Sequence, residues 1–292
     1  MIADLILLTV AAVALIIASI TDIKTREVPD WLNFSLIFIG LGVRLIYSSL
    51  TFDWIYSLEG LLGLVAFVII GYIMFYAGQW GGGDSKLLMG LGALIGLRLT
   101  FYPLPLILIL LINIMFIGAI YGLFYTIAKA ITHRKAFAEE FKKHIGKRLK
   151  LHKYLAIVLI ALIIIFFAVF GTVLKGWFIS IMLILLTLLL YSSVYVYYFV
   201  KSVEKVAMLK LVDPKELTEG DWIAKPIVIN KKKIAGPKDL GISKKQIKEL
   251  IAYKKKGKIK QVLIKIGIPF VPSFLVAFII TVIFGAWWIF LF

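Results

Sequence analysis

Two aspartates stand beside long apolar segments, where ionisable side chains are costly and usually have a function. Asp22 follows the first apolar run directly, and Asp84 ends a Gly-Gly-Gly-Asp sequence between the third and fourth runs. If two carboxylates meet in a poorly solvated place, they share one proton, because ionising both is strongly disfavoured. The ionised partner can then activate water while the protonated partner polarises a peptide carbonyl. This is the chemistry of an aspartic protease.

The glycines before Asp84 suit that chemistry. A peptide substrate lies extended against the enzyme backbone, and Gly81 and Gly83 carry no Cβ that would hold it away. Gly92 and Gly96 form a G-x-x-x-G pattern on the next predicted helix, which allows another helix to approach closely. A glycine cluster at a helix junction is also compatible with a simple turn, so this short pattern alone does not specify a function.

The composition indicates a membrane protein. Of 292 residues, 62% are hydrophobic and only 17% are charged, against about 25% charged in soluble domains. Runs long enough, or nearly long enough, to cross a bilayer occupy residues 2–20, 31–50, 58–76, 85–99, 104–128, 154–174, 177–200 and 268–292. The run at 85–99 is short and begins after the glycines, so its first turn must be shielded by protein. We expect an all-α polytopic membrane protein of about eight transmembrane helices with a small cytoplasmic α/β lobe.

This pattern divides the chain into five predicted parts. They are a catalytic transmembrane domain at 1–128, a basic cytoplasmic loop at 129–153, two further transmembrane helices at 154–200, the cytoplasmic lobe at 201–267, and a C-terminal transmembrane helix at 268–292. Within the lobe, residues 221–229 and 259–266 are predicted strands. Ser243 and Gln246 have the spacing of a capping box at the start of a short helix.

The positive charges orient the chain in a cell membrane. If the N-terminus is outside, every Lys and Arg except Arg44, Arg98 and Lys175 falls in, or at the mouth of, a cytoplasmic segment. Arg44 and Arg98 are then expected to extend to the outer interface. The net charge of +17 therefore reflects topology and attraction to anionic lipid, and nucleic acid is not an expected partner because no recognition module accompanies the lysines. With no cysteine and three histidines, no metal or cofactor is expected.

Residues 81–88, Gly-Gly-Gly-Asp-Ser-Lys-Leu-Leu, resemble the G-x-G-D-x-K-L-L signature of the A24 family of type IV prepilin peptidases. This family of intramembrane aspartic proteases includes the archaeal preflagellin peptidases. Asp22 followed by Pro29 resembles the family's first catalytic Asp and the Ile-Pro-Asn segment after it. The resemblance implies that Asp22 and Asp84 are the catalytic pair of an endopeptidase at the cytoplasmic face. Its implied substrates are precursors of pilins or archaellins, in which a short basic leader precedes a hydrophobic helix.

The chain departs from the family pattern in several places. Asp30 stands where the family has Asn and is a rival carboxylate, although the spacing to Pro29 favours Asp22. The absence of cysteine excludes the zinc module of bacterial members, and their methyltransferase activity is not implied. Residues 219–222 and 267–272 are similar to the C-terminal extension of archaeal members. An acidic stretch offers a place for a basic leader, although a solvated loop is the favoured interpretation: Asp213, Glu216, Glu219 and Asp221. Lys86 is expected to meet lipid phosphate.

A transporter that moves protons or cations on paired carboxylates is the alternative function. Such sites usually lie near the bilayer midplane, between related halves of the sequence. Here both aspartates are predicted at the cytoplasmic edge, and no half resembles another. A membrane scaffold without chemistry leaves the aspartates unexplained, and the Tyr-Asp and Pro-Ala-Leu signatures of presenilin-type proteases are not found. The sequence indicates no particular oligomeric state.

Overall fold

The computed structural model describes residues 2–99, 104–146, 149–173, 176–237 and 239–291. Its helices are α1 (Ile2–Thr25), α2 (Asp30–Thr51), α3 (Trp54–Tyr76), α4 (Gly82–Ile95), α5 (Leu106–Thr132), α6 (Arg134–Gly146), α7 (Leu149–Phe166), α8 (Trp177–Ala207), α9 (Lys244–Lys255) and α10 (Val271–Phe284). A π-helical segment, Phe167–Val173, continues α7, and a 3₁₀ turn, Trp287–Leu291, follows α10. Five short strands are β1 (Leu209–Val212), β2 (Trp222–Ile223), β3 (Ile227–Ile229), β4 (Lys232–Ala235) and β5 (Val262–Lys265).

The described part of the chain has six helices long and apolar enough to cross a membrane: α1, α2, α3, α5, the α7 segment and α8. The predicted class, an all-α polytopic membrane protein with a small mixed lobe, is therefore confirmed. Two of the eight predicted runs instead form the 14-residue helices α4 and α10. At 1.5 Å per residue such a helix is about 21 Å long, less than the hydrocarbon core of about 30 Å.

The apolar sequence of α4 reflects burial in protein. Leu87, Leu88, Leu91 and Leu94 are each at most 1% exposed, and the helix packs against α2 and α3. The G-x-x-x-G pattern makes this packing close, because a Cβ at Gly92 would stand 2.4 Å from the backbone oxygen of Gly63 on α3. The inference of close helix approach from Gly92 and Gly96 is thus confirmed, with α3 as the partner helix.

Arg44 forms hydrogen bonds with the C-terminal end of α4. The expectation that it extends to the outer interface is wrong, because its side chain is 2% exposed. Its guanidinium donates hydrogen bonds to the carbonyls of Ala93, Leu94 and Ile95 at 2.7–3.2 Å, and to that of Tyr56 at 2.9 Å. Since the last carbonyls of a helix lack intrahelical donors, Arg44 satisfies groups that burial would otherwise leave unpaired.

The mixed lobe has a small hydrophobic core of its own. Strands β1, β5 and β2 form a sheet in that order, with β2 antiparallel to β5, and β3 pairs with β4 in an antiparallel hairpin. The predicted strand at 221–229 is divided into β2 and β3, and Pro226, which has no N–H to donate, lies between them. Ser243 and Gln246 form the predicted capping box at the start of α9. Side chains from the strands and from Leu250 of α9 fill the core.

The chain forms two compact units, residues 1–125 with 211–292 and residues 126–210. In the second unit α6 packs against α8, where Lys205 pairs with Glu140 at 2.5 Å and Phe137 meets Phe199 edge to face. Both predicted catalytic aspartates belong to the first unit. The five-part division made from the sequence stays a prediction.

Candidate active site

Asp22 lies in the last turn of α1 and is only 4% exposed. The helix ends just beyond it, where Arg26 takes a positive φ of 60° and its N–H donates to the Asp22 carbonyl at 2.9 Å. The Asp22 carboxylate accepts a hydrogen bond of 2.9 Å from the amide of Val271, at the start of α10. Asp22 is therefore a buried and specifically bonded group, in contrast to an ordinary solvated helix end.

Asp84 lies in the first turn of α4, outside the six spanning helices, and is half-buried. Its Oδ2 accepts the Gly81 N–H at 3.1 Å, so the carboxylate bonds one of the amides that a helix start leaves unpaired. Gly81 itself is extended, with φ −70° and ψ 164°. The motif thus gives Asp84 a fixed position through a local hydrogen bond that the Gly-Gly-Gly-Asp spacing permits.

The segment between α1 and α2 lies against the glycine loop. A Cβ at Gly83 would stand 3.2 Å from the Val28 nitrogen. The side-chain amide of Asn33 donates to the Gly83 carbonyl at 3.5 Å. Gly83 therefore makes room for the close approach of the protein's own backbone. The predicted roles of Gly81 and Gly83 toward a substrate backbone stay predictions.

These contacts bring the two predicted carboxylates close enough to interact. The pKa of Asp84 is raised to about 7, chiefly because protein surrounds the carboxyl group and also because of the negative charge of Asp22, while the Gly81 N–H acts in the opposite direction. A carboxyl group with such a pKa retains a proton near neutral pH and is able to donate it. Asp84 is therefore suited to the acid role in an acid–base pair.

The rival carboxylate, Asp30, has a different environment. Its side chain is 62% exposed and pairs with Lys86 at 2.6 Å. The structure replaces the expected contact of Lys86 with lipid phosphate by an ion pair between Asp30, at the start of α2, and Lys86, the fifth residue of α4. Since Asp30 is solvated and neutralised by a lysine, Asp22 is the better candidate for a partner of Asp84.

The start of α10 is a part of the site that the sequence alone does not assign. Besides the Val271 amide, this turn contributes Phe270 and Phe274, whose rings lie 6.3 and 5.3 Å from that of Trp80. Trp80 is 4% exposed and directly precedes Gly81. The available sequence signal is the Gly-Ile-Pro-Phe-Val-Pro segment at 267–272, where Pro272 suits the first turn of a helix.

Two buried polar atoms beside the glycine loop have no hydrogen-bond partner among the described residues. They are Asn33 Oδ1 and Ser85 Oγ, and their residues are 0% and 3% exposed. Because buried polar atoms are nearly always paired, such atoms are notable at a site that would handle water and a peptide. Within the described ranges, no group of three or more His, Asp or Glu side chains is arranged to hold a metal ion.

The acidic stretch of the lobe is engaged within the lobe itself. Asp213 accepts the Lys215 N–H and pairs with Lys254, and these contacts lower the pKa of its carboxyl group. Glu219 pairs with Lys244 at 3.2 Å, and Asp221 accepts the Thr218 N–H at 2.8 Å. These contacts favour the interpretation of this stretch as lobe structure over a leader-binding patch.

Residues 9–123 match the sequence model of the Type IV leader peptidase family. A preflagellin peptidase of Methanocaldococcus jannaschii is 42% identical over 86 residues, which is 30% of this chain and 36% of that protein. A preflagellin peptidase of Methanococcus maripaludis is 42% identical over 87 residues, 30% of this chain and 37% of that protein. Prepilin peptidase EppA of Methanothermobacter thermautotrophicus is 28% identical over 182 residues, 56% of this chain and 44% of that protein.

The resemblance stated from Asp22, Pro29 and residues 81–88 is therefore confirmed for the N-terminal part of the chain. These alignments span 36% to 44% of the relatives' own lengths. No solved structure matches the chain.

Proposed function

We propose that the chain is an aspartic endopeptidase that removes the leader peptide from precursors of archaellins or type IV pilin-like proteins. The observation that carries this proposal is the placement of two carboxylates from distant parts of the sequence, Asp22 in the last turn of α1 and Asp84 in the first turn of α4, on two helices that pack against each other. The family match over 9–123 includes both residues, and the relatives named preflagellin and prepilin peptidase supply the substrate class.

The two carboxylates divide the reaction between them. Ionised Asp22 takes a proton from water, whose oxygen attacks the scissile carbonyl, while protonated Asp84 donates to the carbonyl oxygen. The resulting tetrahedral gem-diol then breaks its C–N bond. As the carbonyl forms again, one hydroxyl proton of the gem-diol returns to Asp84, and the proton held by Asp22 goes to the leaving amine. The products are a free carboxylate on the leader and a free amine on the mature protein, so one water is consumed per bond.

The site is proposed to work at the cytoplasmic face. With the N-terminus outside, Asp22 at the end of α1 lies on the side that carries nearly all the Lys and Arg residues. A leader peptidase needs this position, because the scissile bond lies just before the hydrophobic helix of its precursor. The same positive charge suits contact with anionic lipid headgroups.

Cleavage by isosteric variants tests the proposal. Asp22→Asn and Asp84→Asn each remove an ionisable proton site while nearly preserving shape, so cleavage of an archaellin or pilin precursor should fall at least about 100-fold. Membranes that contain equal amounts of each variant are incubated with the precursor, and the shorter product is followed on a gel. Asp30→Asn is the matched control, with the same chemical change at an exposed ion pair, and it should cleave within about twofold of wild type.

Two results would contradict the proposal. Full cleavage by either the Asp22 or the Asp84 variant would remove that residue from the catalytic pair. Failure of the wild-type chain to cut any leader-bearing precursor, in membranes where it is folded, would exclude the substrate class.

A further inference from the structure

The first turn of α10 donates a backbone hydrogen bond to Asp22. The opening amides of a helix have no intrahelical acceptor. In α10, Pro272 has no N–H, and the Ser273 N–H already donates to the Phe270 carbonyl at 3.0 Å. The Val271 N–H donates to Asp22 Oδ2 at 2.9 Å. The N-terminus of α10, which is the positive end of its helix dipole, therefore faces the Asp22 carboxylate.

The same turn also contacts the segment that holds Asp84. Phe270 and Phe274 pack on Trp80, whose next residue, Gly81, donates its N–H to Asp84. Val271 and Phe274 are both completely buried. One helical turn near the end of the chain therefore contacts the environments of both carboxylates.

The side chain of the residue that follows α1 holds this turn in place. The guanidinium of Arg26 donates to the Gly267 carbonyl, four residues before Val271. Among the described residues, the charged or titratable groups that act on Asp22 are Arg26 just after α1, Asp84 from α4 and Tyr121 from α5. α10 carries no ionisable side chain, so its influence on Asp22 comes from backbone dipoles.

We propose that the first turn of α10 is a positioning element of the active site, in which the Val271 amide orients the Asp22 carboxylate and favours its ionised form. Val271 is then a positioning residue for the reaction, and the catalytic machinery extends beyond the matched range 9–123 to the C-terminal helix. This inference rests on the proposed peptidase function, since it assigns to Asp22 the task of activating water.

Removing the Val271 N–H tests the inference most directly. Val271→Pro deletes the donor at the first helical position. Phe270 has a helical backbone conformation, with φ −94° and ψ −23°, which a following proline disfavours, so accumulation of the variant in membranes is measured first. Loss of a hydrogen bond to a charged group disfavours the ionised carboxylate, so the acidic limb of the kcat profile should move up by about one pH unit. The alkaline limb and the KM for the precursor should stay the same, because neither Asp84 nor leader binding is altered. A structural defect would instead lower activity by a similar factor at every pH.

A second variant keeps the test independent of the folding of Val271→Pro. Arg26→Ala removes an exposed side chain that fastens the α10 turn and adds positive charge near Asp22, so the acidic limb should move in the same direction by a smaller amount. Lys24→Ala is the matched control, because it removes one exposed positive charge from the last turn of α1, two residues before Arg26. Its profile should coincide with that of wild type.

The outcomes separate this inference from the proposed function. A wild-type profile for Val271→Pro, a loss that is uniform with pH, or an increase in activity would overturn the positioning role. An increase would mean that the α10 turn blocks Asp22. If Val271→Pro does not accumulate in membranes, an Arg26→Ala profile identical to that of Lys24→Ala overturns it. The proposed function fails by a different result, namely an inactive wild type or an active Asp22→Asn.

Discussion

Gly92→Ala is the substitution that most directly perturbs the helix carrying Asp84. A Cβ at this position would lie 2.4 Å from the Gly63 backbone oxygen and 2.8 Å from the Phe67 Cβ. Ordinary contacts of this kind begin near 3.4 Å. The obstructing oxygen belongs to the backbone of α3, which cannot rotate away as a side chain can. The two helices must therefore separate by about 1 Å, since packed interiors have little free space.

The expected cost follows from that displacement. Overpacking a close-packed interior typically costs about 1–3 kcal/mol, and a backbone obstruction puts Gly92→Ala at the upper end of this range. With about 2.1 cal/mol/K of unfolding entropy per residue, the 292 residues give roughly 0.6 kcal/mol/K, so about 3 kcal/mol lowers the Tm by roughly 5 °C. Because a displacement of about 1 Å can cost 100-fold in rate, the shift of α4 should also strongly reduce precursor cleavage.

The assay compares Gly92→Ala with a glycine that has room for a methyl group. Gly42, in the middle of α2, has no atom within 4 Å of the position that a Cβ would occupy, so Gly42→Ala should keep the Tm or raise it slightly through helix propensity. Thermal unfolding of the purified chains in one detergent gives both Tm values. A wild-type Tm for Gly92→Ala, or an equal decrease for Gly42→Ala, would refute the argument from close packing.

Two further predictions concern the ends of α4. The folded chain holds a proton on Asp84 up to about pH 7, whereas the unfolded chain releases it near 3.8; stability therefore falls as pH rises through that window. Asp84→Asn should raise the Tm relative to wild type at pH 8 and lose this advantage near pH 4, and a Tm difference that does not change with pH would contradict the assignment. At the other end, Arg44→Met leaves four carbonyls without their donor and should destabilise the chain by about 3 kcal/mol; a Tm within 2 °C of wild type, in the same thermal-unfolding measurement, would show that other donors replace it.

Local patterns predicted the parts of the site that depend on short spacings. The apolar run at 85–99 predicted a helix that begins just after the Gly-Gly-Gly-Asp sequence. The structure begins α4 at Gly82, three residues earlier, with Asp84 bonded to the Gly81 amide. The spacing of Ser243 and Gln246 predicted the start of α9 in the same way. These contacts form within one helical turn, so the residues that make them are visible together in the sequence.

Contacts between distant residues could not be predicted in this way. The hydrogen bond from Val271 to Asp22 joins residues 249 positions apart, and its donor is a backbone amide that every non-proline residue possesses. Hydrophobicity also does not distinguish burial in protein from burial in lipid, which is why the apolar run of α4 predicts a span. The sequence favours an interfacial Arg44 because a buried guanidinium is costly, and only the structure reveals the four carbonyls that compensate for this cost.

The two carboxylates differ in where their backbone donors come from, and this difference bears on their roles. Asp84 bonds the start of its own helix, so its donor moves with it when α4 moves. Asp22 lies at the C-terminal end of α1, where the helix dipole disfavours a negative charge, and its donor comes from α10. The ionised state of Asp22 therefore depends on tertiary packing, whereas the position of Asp84 is fixed locally. Loss of the Val271 N–H would therefore remove a donor of Asp22, the proposed base, while Asp84, the proposed acid, keeps the Gly81 N–H.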